Sequence, residues 1–332
     1  MLTRVIGDAR RYGFAVGRIR VLETRLLTRT TYERLLDARD FDRQRRILAD
    51  TVYAGYLEGA RTPDDVERGL DASLADLYED FLGHANLPAP IVAYFHVRHD
   101  FENLKAHLKA EALGVSPEGF VTPLGSVAPE VFGGPAKGFP PHAREAEPRV
   151  RAACAGEDGS LVPGAIEAAV DREMFRALLE VADASRSEFV RRLVSLEADA
   201  GNARAFVRCR ARGAPVGEFE SALVPGGAMS ASAFIAAYRV PFEDGVKRLA
   251  AQRPLRGADA EALRDPARFD VAIEWIVADE ARKGRAVAIG ADTVVGYVLA
   301  RRAEVAALRA VFFGTFARVP PERLRERLRD VV

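Results

Sequence analysis

The chain has 332 residues with 48 % hydrophobic content, enough for two or three domain-sized cores, and its 48 basic and 48 acidic side chains lack the basic excess of a nucleic-acid binder. Two cysteines, Cys154 and Cys209, exclude a disulfide framework, and no Cys-x-x-Cys pair is present, which points to a reducing compartment. The opening MLTRVIGDARRYGFAVGRIR has no continuous apolar core of the signal-peptide kind, and no run approaches the roughly 18 to 20 apolar residues needed to span a bilayer. The expectation is a soluble chain that can still sit against a membrane protein.

Charge is unevenly distributed. Residues 1–50 hold twelve Arg against seven acids, residues 51–103 three Arg against ten, and residues 301–332 eight Arg against four. That dipolar layout suits either docking of oppositely charged partners at different ends or a set of solvated helix faces.

In chain order, small and aromatic residues (Tyr12, Gly13, Phe14, Ala15) lead into an Arg-rich segment. Thr30 or Thr31 offers a cap for a helix or helix pair, with Leu35, Leu36 and Ile47 buried. Pro63-Asp64-Asp65 starts an acidic helix whose first-turn acids complement the helix dipole and whose stripe is Leu70, Leu74, Leu77 and Phe81. Pro88 and Pro90 then precede a long helix over 91–114 that ends on Gly114. Residues 115–148, rich in Gly and Pro, read as a linker. Helices from Val162 to Asp183 and from Ser187 to Gly213 follow, then a second linker, GAPVGEFESALVPGG, and a last helical stretch containing Trp275 as a core residue. RAVAIG and DTVVGYV alternate only weakly, and the second merges into a helix. The class is all-α.

The 91–114 helix is repeated. Tyr94, Val97, Phe101, Leu104 and Leu108 line one face at steps of three and four. Ninety-nine residues on stand Leu193, Leu196, Ala200, Ala203 and Val207, and 105 further on Val298, Arg301, Val305, Leu308 and Phe312. Only Arg301 breaks the stripe. The polar positions echo as well: Asp100-x-x-Asn103-Leu104-Lys105, then Asp199-x-x-Asn202-Ala203-Arg204, then, more loosely, Glu304-x-x-Ala307-Leu308-Arg309. An aromatic precedes each acid by a similar interval: Tyr32, Phe132 and Phe234. Glycines lie seven residues before the last two (Gly125 and Gly227), whereas Arg25 stands seven before Tyr32. A period near one hundred is too long for a solenoid unit and predicts three similar helical domains, 1–119, 120–221 and 222–332.

The strongest catalytic candidate lies on the first of these helices, where His96, Asp100, Asn103 and His107 share the side opposite the apolar stripe. His and Asp at i, i+4 fit a metal pair. The positions equivalent to His96 and His107 are Ser195 and Phe206, so the histidines are no part of the repeated design, whereas the acid and amide are. No phosphate-binding glycine motif follows a strand, and no G-x-S-x-G elbow is present. Ser187 and Glu188 read as capping material. The tail PERLRERLRD reads as a surface helix laced by its own i, i+4 pairs.

TVYAGYLEG, HDFENLKAHLKA, RRLVSLEADAGNAR, LVPGG and VVGYVLARRAEVAALRAVFFG together resemble the C subunit of the prokaryotic A/V-type rotary ATPase, the counterpart of the d subunit of the eukaryotic vacuolar enzyme. The resemblance covers essentially the whole chain, and Ala307 departs from it where an amide would complete the pattern. It implies three similar helical domains forming a pseudo-threefold funnel, with no cofactor, metal or catalytic residue. It also implies a place on the cytoplasmic face of the membrane, with the central shaft and the membrane proteolipid ring as partners and neither nucleic acid nor a small-molecule substrate. Asp100, Asn103, Lys105, Asp199, Asn202, Arg204, Glu304 and Arg309 are the structural or interface candidates, expected to fix helix–helix contacts or line the funnel. Two rival readings are a helical adaptor without a rotary role and a metal-dependent helical enzyme using His96, Asp100 and His107.

Overall fold

The computed structural model describes residues 2–252, 255 and 266–328, with side chains left aside at 2–6, 266–275, 326 and 327. The side chain of Trp275, expected in the core, is therefore outside what is described. The elements are α1 (Leu2–Glu23), α2 (Arg29–Ala38), α3 (Phe41–Ile47), α4 (Pro63–Asp76), α5 (Ala89–Leu113), α6 (Pro141–Cys154), α7 (Pro163–Ser185), α8 (Glu188–Arg212), α9 (Val216–Ala222), α10 (Ala231–Tyr238), α11 (Phe242–Ala250), α12 (Pro266–Arg285), α13 (Ala291–Phe316) and α14 (Pro321–Leu328). Among the described residues the only β-type pairing is one isolated bridge, Ala155 to Leu161. The fold is all-α.

Two compact units result, one from Met1–Leu87 with Ala278–Val332, the other from Pro88–Val277. In the first, α13 packs against α1 and α4, and α14 packs on α2. Its core includes Ile19, Leu35, Tyr53, Leu70, Val298 and Phe312. In the second, α5 packs on α7, α7 on α6 and α8, and α10 on α8 and α11. A cluster of rings packs in its core, with Phe219 stacked on Tyr238 at 4.4 Å and Phe206 on Phe242 at 5.9 Å.

Local chemistry accounts for the helix ends. The hydroxyl of Thr28, rather than Thr30 or Thr31, caps α2 by accepting from Thr31 N, and Asp40 caps α3 in the same way through Arg43 N. The pair is therefore split by its own cap, and Leu48 takes the buried place expected of Ile47, which is half-buried. Thr62 and Asp65 form a capping box at α4. A π-helical turn over Leu77–Leu82 then adds a residue to the turn, so Tyr78 and Leu82 join Phe81 in the core while Leu77 is half-buried. Gly114 and Gly213 end α5 and α8 with φ of 66° and 68°, a conformation that costs a residue with a Cβ more. Ser187 caps α8 through Val190 N.

Three expectations are corrected. The linker over 115–148 ends early: α6 starts at Pro141, where proline's missing N–H is harmless, and continues through Pro148 inside the helix. The second linker holds α9. The tail helix α14 is not laced to itself through Arg325; that side chain reaches Glu33 at 3.2 Å and also pairs with Asp37, both on α2.

Candidate functional site

The polar faces of α5, α8 and α13 each hold a piece of non-helical backbone. On α5 the Asp100 carboxylate is fully buried and accepts from Ser126 N at 2.8 Å, from Ser126 Oγ at 2.7 Å and from His142 Nε2 at 2.9 Å. Asn103 pairs both ways with Thr122: its Oδ1 accepts from the backbone N at 2.8 Å, and its Nδ2 donates to the carbonyl at 2.9 Å. An amide supplies both donor and acceptor, so it substitutes for a missing strand partner. His96 Nδ1 donates to the Leu124 carbonyl at 2.8 Å and His107 Nε2 to that of Pro129 at 3.0 Å. The four residues that align as a metal-site candidate thus hold the loop over residues 122–129, giving its non-helical backbone groups the partners that a helix would otherwise supply.

The same arrangement recurs on α8. Asp199, fully buried, accepts from Ala228 N at 2.9 Å and Met229 N at 3.0 Å. Burial raises its pKa against those two N–H donors. Asn202 exchanges both bonds with the backbone of Val224, at 2.8 and 3.0 Å. Thr122 and Val224 each stand ten residues before the buried aromatic, Phe132 or Phe234; Ser126 and Ala228 each stand six before it. The register is therefore shared by both polar latches.

On α13 the third copy is built differently. Glu304 accepts from Leu27 N, five residues before Tyr32 as Met229 is five before Phe234, and from the Tyr53 hydroxyl at 2.9 Å. Arg301 Nη1, itself buried, donates to Glu304 at 2.8 Å and to the Tyr53 oxygen at 2.8 Å, and its guanidinium lies 4.7 Å from the centre of the Tyr53 ring. Arg301 interrupts the apolar stripe because a buried carboxylate needs a buried cation. Burial raises the pKa of Glu304, opposed chiefly by Arg301. The missing amide at Ala307 also has a reason. Ten residues before Tyr32 stands Leu22, inside α1, whose carbonyl already accepts from Arg25 N at 3.0 Å. A helical segment satisfies its own backbone and needs no amide to hold it.

Two of the bases beside the latches tie helices together. Lys105 pairs with Asp171 of α7 at 2.6 Å, and Arg309 with Glu67 and Asp71 of α4, each at 2.9 Å. Arg204 lies half-buried on α8. The acids and amides hold loops while Lys105 and Arg309 hold neighbouring helices, a division of labour that helix periodicity does not reveal. Tyr53, Arg301, His142 and Leu27 are site residues that sequence reasoning did not select; the one signal for them was the break that Arg301 makes in the stripe. A cavity of about 480 Å³ opens beside Leu27, lined in part by Thr24, Arg25, Thr28, Asp50 and Thr51. Its hydroxyls at Thr28 and Thr51 already serve backbone groups.

Fold and site together define a helical protein whose buried polar groups tie loops and neighbouring helices to three long helices. The chain belongs to the ATP synthase (C/AC39) subunit family, whose model matches residues 15–327. Similar curated proteins include the C subunit of the A-type ATP synthase of Pyrococcus horikoshii, 30 % identical over 125 residues, covering 36 % of this chain and 33 % of that protein. Those of Thermococcus onnurineus and Methanocaldococcus jannaschii are each 26 % identical, over 133 and 137 residues, covering 39 % of this chain and 36 % and 34 % of theirs. The matched stretch spans about a third of the length of these relatives. Among the described residues no helix is long and apolar enough to cross a membrane.

Proposed function

We propose that this chain is the non-catalytic central-stalk subunit of an A/V-type rotary ATPase or ATP synthase. In this reading it is a socket that links the central shaft to the membrane proteolipid ring on the cytoplasmic side and transmits torque between ATP chemistry and ion translocation. The observation that carries the reading is the family match over residues 15–327, nearly the whole chain. The shared names of the curated relatives support membership of the complex.

A part that carries torque needs stiffness, and buried polar groups with every partner in place stiffen a fold while lending nothing to catalysis. On this reading Asp100, Asn103, Asp199, Asn202 and Glu304 keep each loop seated under load, while Lys105 and Arg309 brace neighbouring helices, and Arg204 belongs to the same polar series. The stretches 1–119, 120–221 and 222–332 are its three repeats. Each latch then runs from the long helix of one stretch to the opening of the next, the third returning to the first. Tagged chain purified from its own membranes is expected to bring down shaft and proteolipid subunits together. Recovery of other proteins, with neither of these, would favour the adaptor reading instead.

A further inference from the structure

We propose that the outward face of α1 is a docking surface for an acidic helix of a partner protein. At about 100° per residue, Arg10, Phe14, Gly17 and Val21 fall within about 60° of arc on α1, with Arg11 along one edge. Exposed Arg25 follows in the turn after the helix, while Arg18 on the same edge turns inward to the Asp80 carbonyl at 3.3 Å. Phe14 is 65 % exposed and Val21 59 %, while Tyr12, Ala15, Val16 and Ile19 on the other side are buried in the unit's core. Neither acid of the helix shares the stripe. Asp8 and Glu23 lie on the flank toward the core, and Glu23 is engaged by Arg20 at 2.8 Å and Arg285 at 3.2 Å.

Charge pairing elsewhere in the unit leaves this basic excess in place. The C-terminal arginines meet the acids of the early helices: Arg309 takes Glu67 and Asp71, and Arg325 takes Glu33 and Asp37. The face is thus cationic with two apolar side chains, the composition of an interface core edged with arginine. A second copy would bring like charge against like charge. A lipid surface requires a broad outward apolar face, and α1 turns its own apolar side inward. A partner helix carrying carboxylates around aliphatic residues matches both the charge and the shape. Gly13 and Gly17 fit the same reading, because a Cβ at either would meet nothing within 4 Å. Among the described residues nothing calls for glycine there, a poor helix former, whereas a closely approaching helix does.

Docking on this face does not depend on a rotary role for the chain. It is tested with full-length chain carrying Val21→p-benzoylphenylalanine, expressed in its own cells, purified with its assembly and irradiated before the cross-linked peptide is mapped. The expected product is a protein cross-link to a peptide with several Asp or Glu among aliphatic residues. Charge reversal by Arg10→Glu with Arg25→Glu, in a chain of unchanged helical content, is expected to lower its yield about tenfold, the loss that corresponds to about 1.4 kcal/mol of association. Cross-linking to lipid, to a second copy or to a peptide without acids overturns the proposal, as does no cross-link at all. Shaft and proteolipid subunits recovered without such a cross-link would sink this proposal and leave the rotary reading standing; the cross-link recovered without those subunits would do the reverse.

Discussion

A Cβ placed on Gly227 would stand 2.1 Å from Oδ1 of Asp199, and one placed on Gly125 would stand 2.6 Å from Oδ1 of Asp100. Each loop approaches its aspartate so closely that only glycine fits. Where the third latch has the longer Glu304, the loop need not come as near, and Arg25 occupies the corresponding position. Acid length and glycine content therefore vary together.

Gly227→Ala is accordingly expected to destabilise the chain by about 1–3 kcal/mol, the usual cost of overpacking. In an Asp199→Ala background the same change should cost much less, because the clashing atom is gone. Thermal melting of the four variants checks this, and additive effects would contradict it.

Asn103→Ala and Asn202→Ala each remove a buried amide that pairs both ways with loop backbone. A loss of about 2–3 kcal/mol is expected for each, since a donor and an acceptor lose their partners together. Hydrogen exchange should show the Thr122 and Val224 amides losing protection ahead of the surrounding helices. Unchanged protection would show that the loops are held by other contacts.

Arg301→Met leaves Glu304 buried beside Tyr53 without its cation, and a loss of about 3–5 kcal/mol is expected. Restoring neutrality with Glu304→Gln in the same chain should recover part of it. The pH dependence has a definite sign. Burial already raises Glu304 above its ordinary 4.5, so its contribution is fully present below 4.5 and is lost as pH rises through the folded value. Without Arg301 that folded value rises further, and stability should decline more steeply between acid and neutral pH than in the parent chain.

Asp65 behaves in the opposite sense. The N–H of Arg61, then the capping contacts with Thr62, lower it from 3.8 to about 2. Its contribution is present above 3.8 and is lost as pH falls through about 2. Asp65→Asn should flatten that stretch of the acid-denaturation curve, and an NMR titration of Asp65 should give the low value directly.

Helix periodicity made the three long helices legible because their stripes are apolar over four turns and end on glycine or a turn. Repetition then separated Asp100 and Asn103 from the histidines around them. The partners were not legible: Thr122, Val224 and Leu27 contribute backbone groups, which carry no residue signature, and Leu27 lies at the other end of the chain from Glu304. His96 and His107 look like ligands because two imidazoles and a carboxylate on one face suit a metal, yet each imidazole faces a carbonyl of the same loop. Pro148 reads as linker because proline is rare inside helices, although the surrounding residues still form one. Tertiary pairing of α14 with α2 redirected Arg325 away from its own helix.

The proposed coupling is measured by paired assays on membranes from cells that lack this chain. ATP hydrolysis by the soluble head is expected to persist while ATP-driven ion translocation disappears, and adding back the purified chain should restore translocation. Translocation that continues undiminished without the chain would contradict a coupling role.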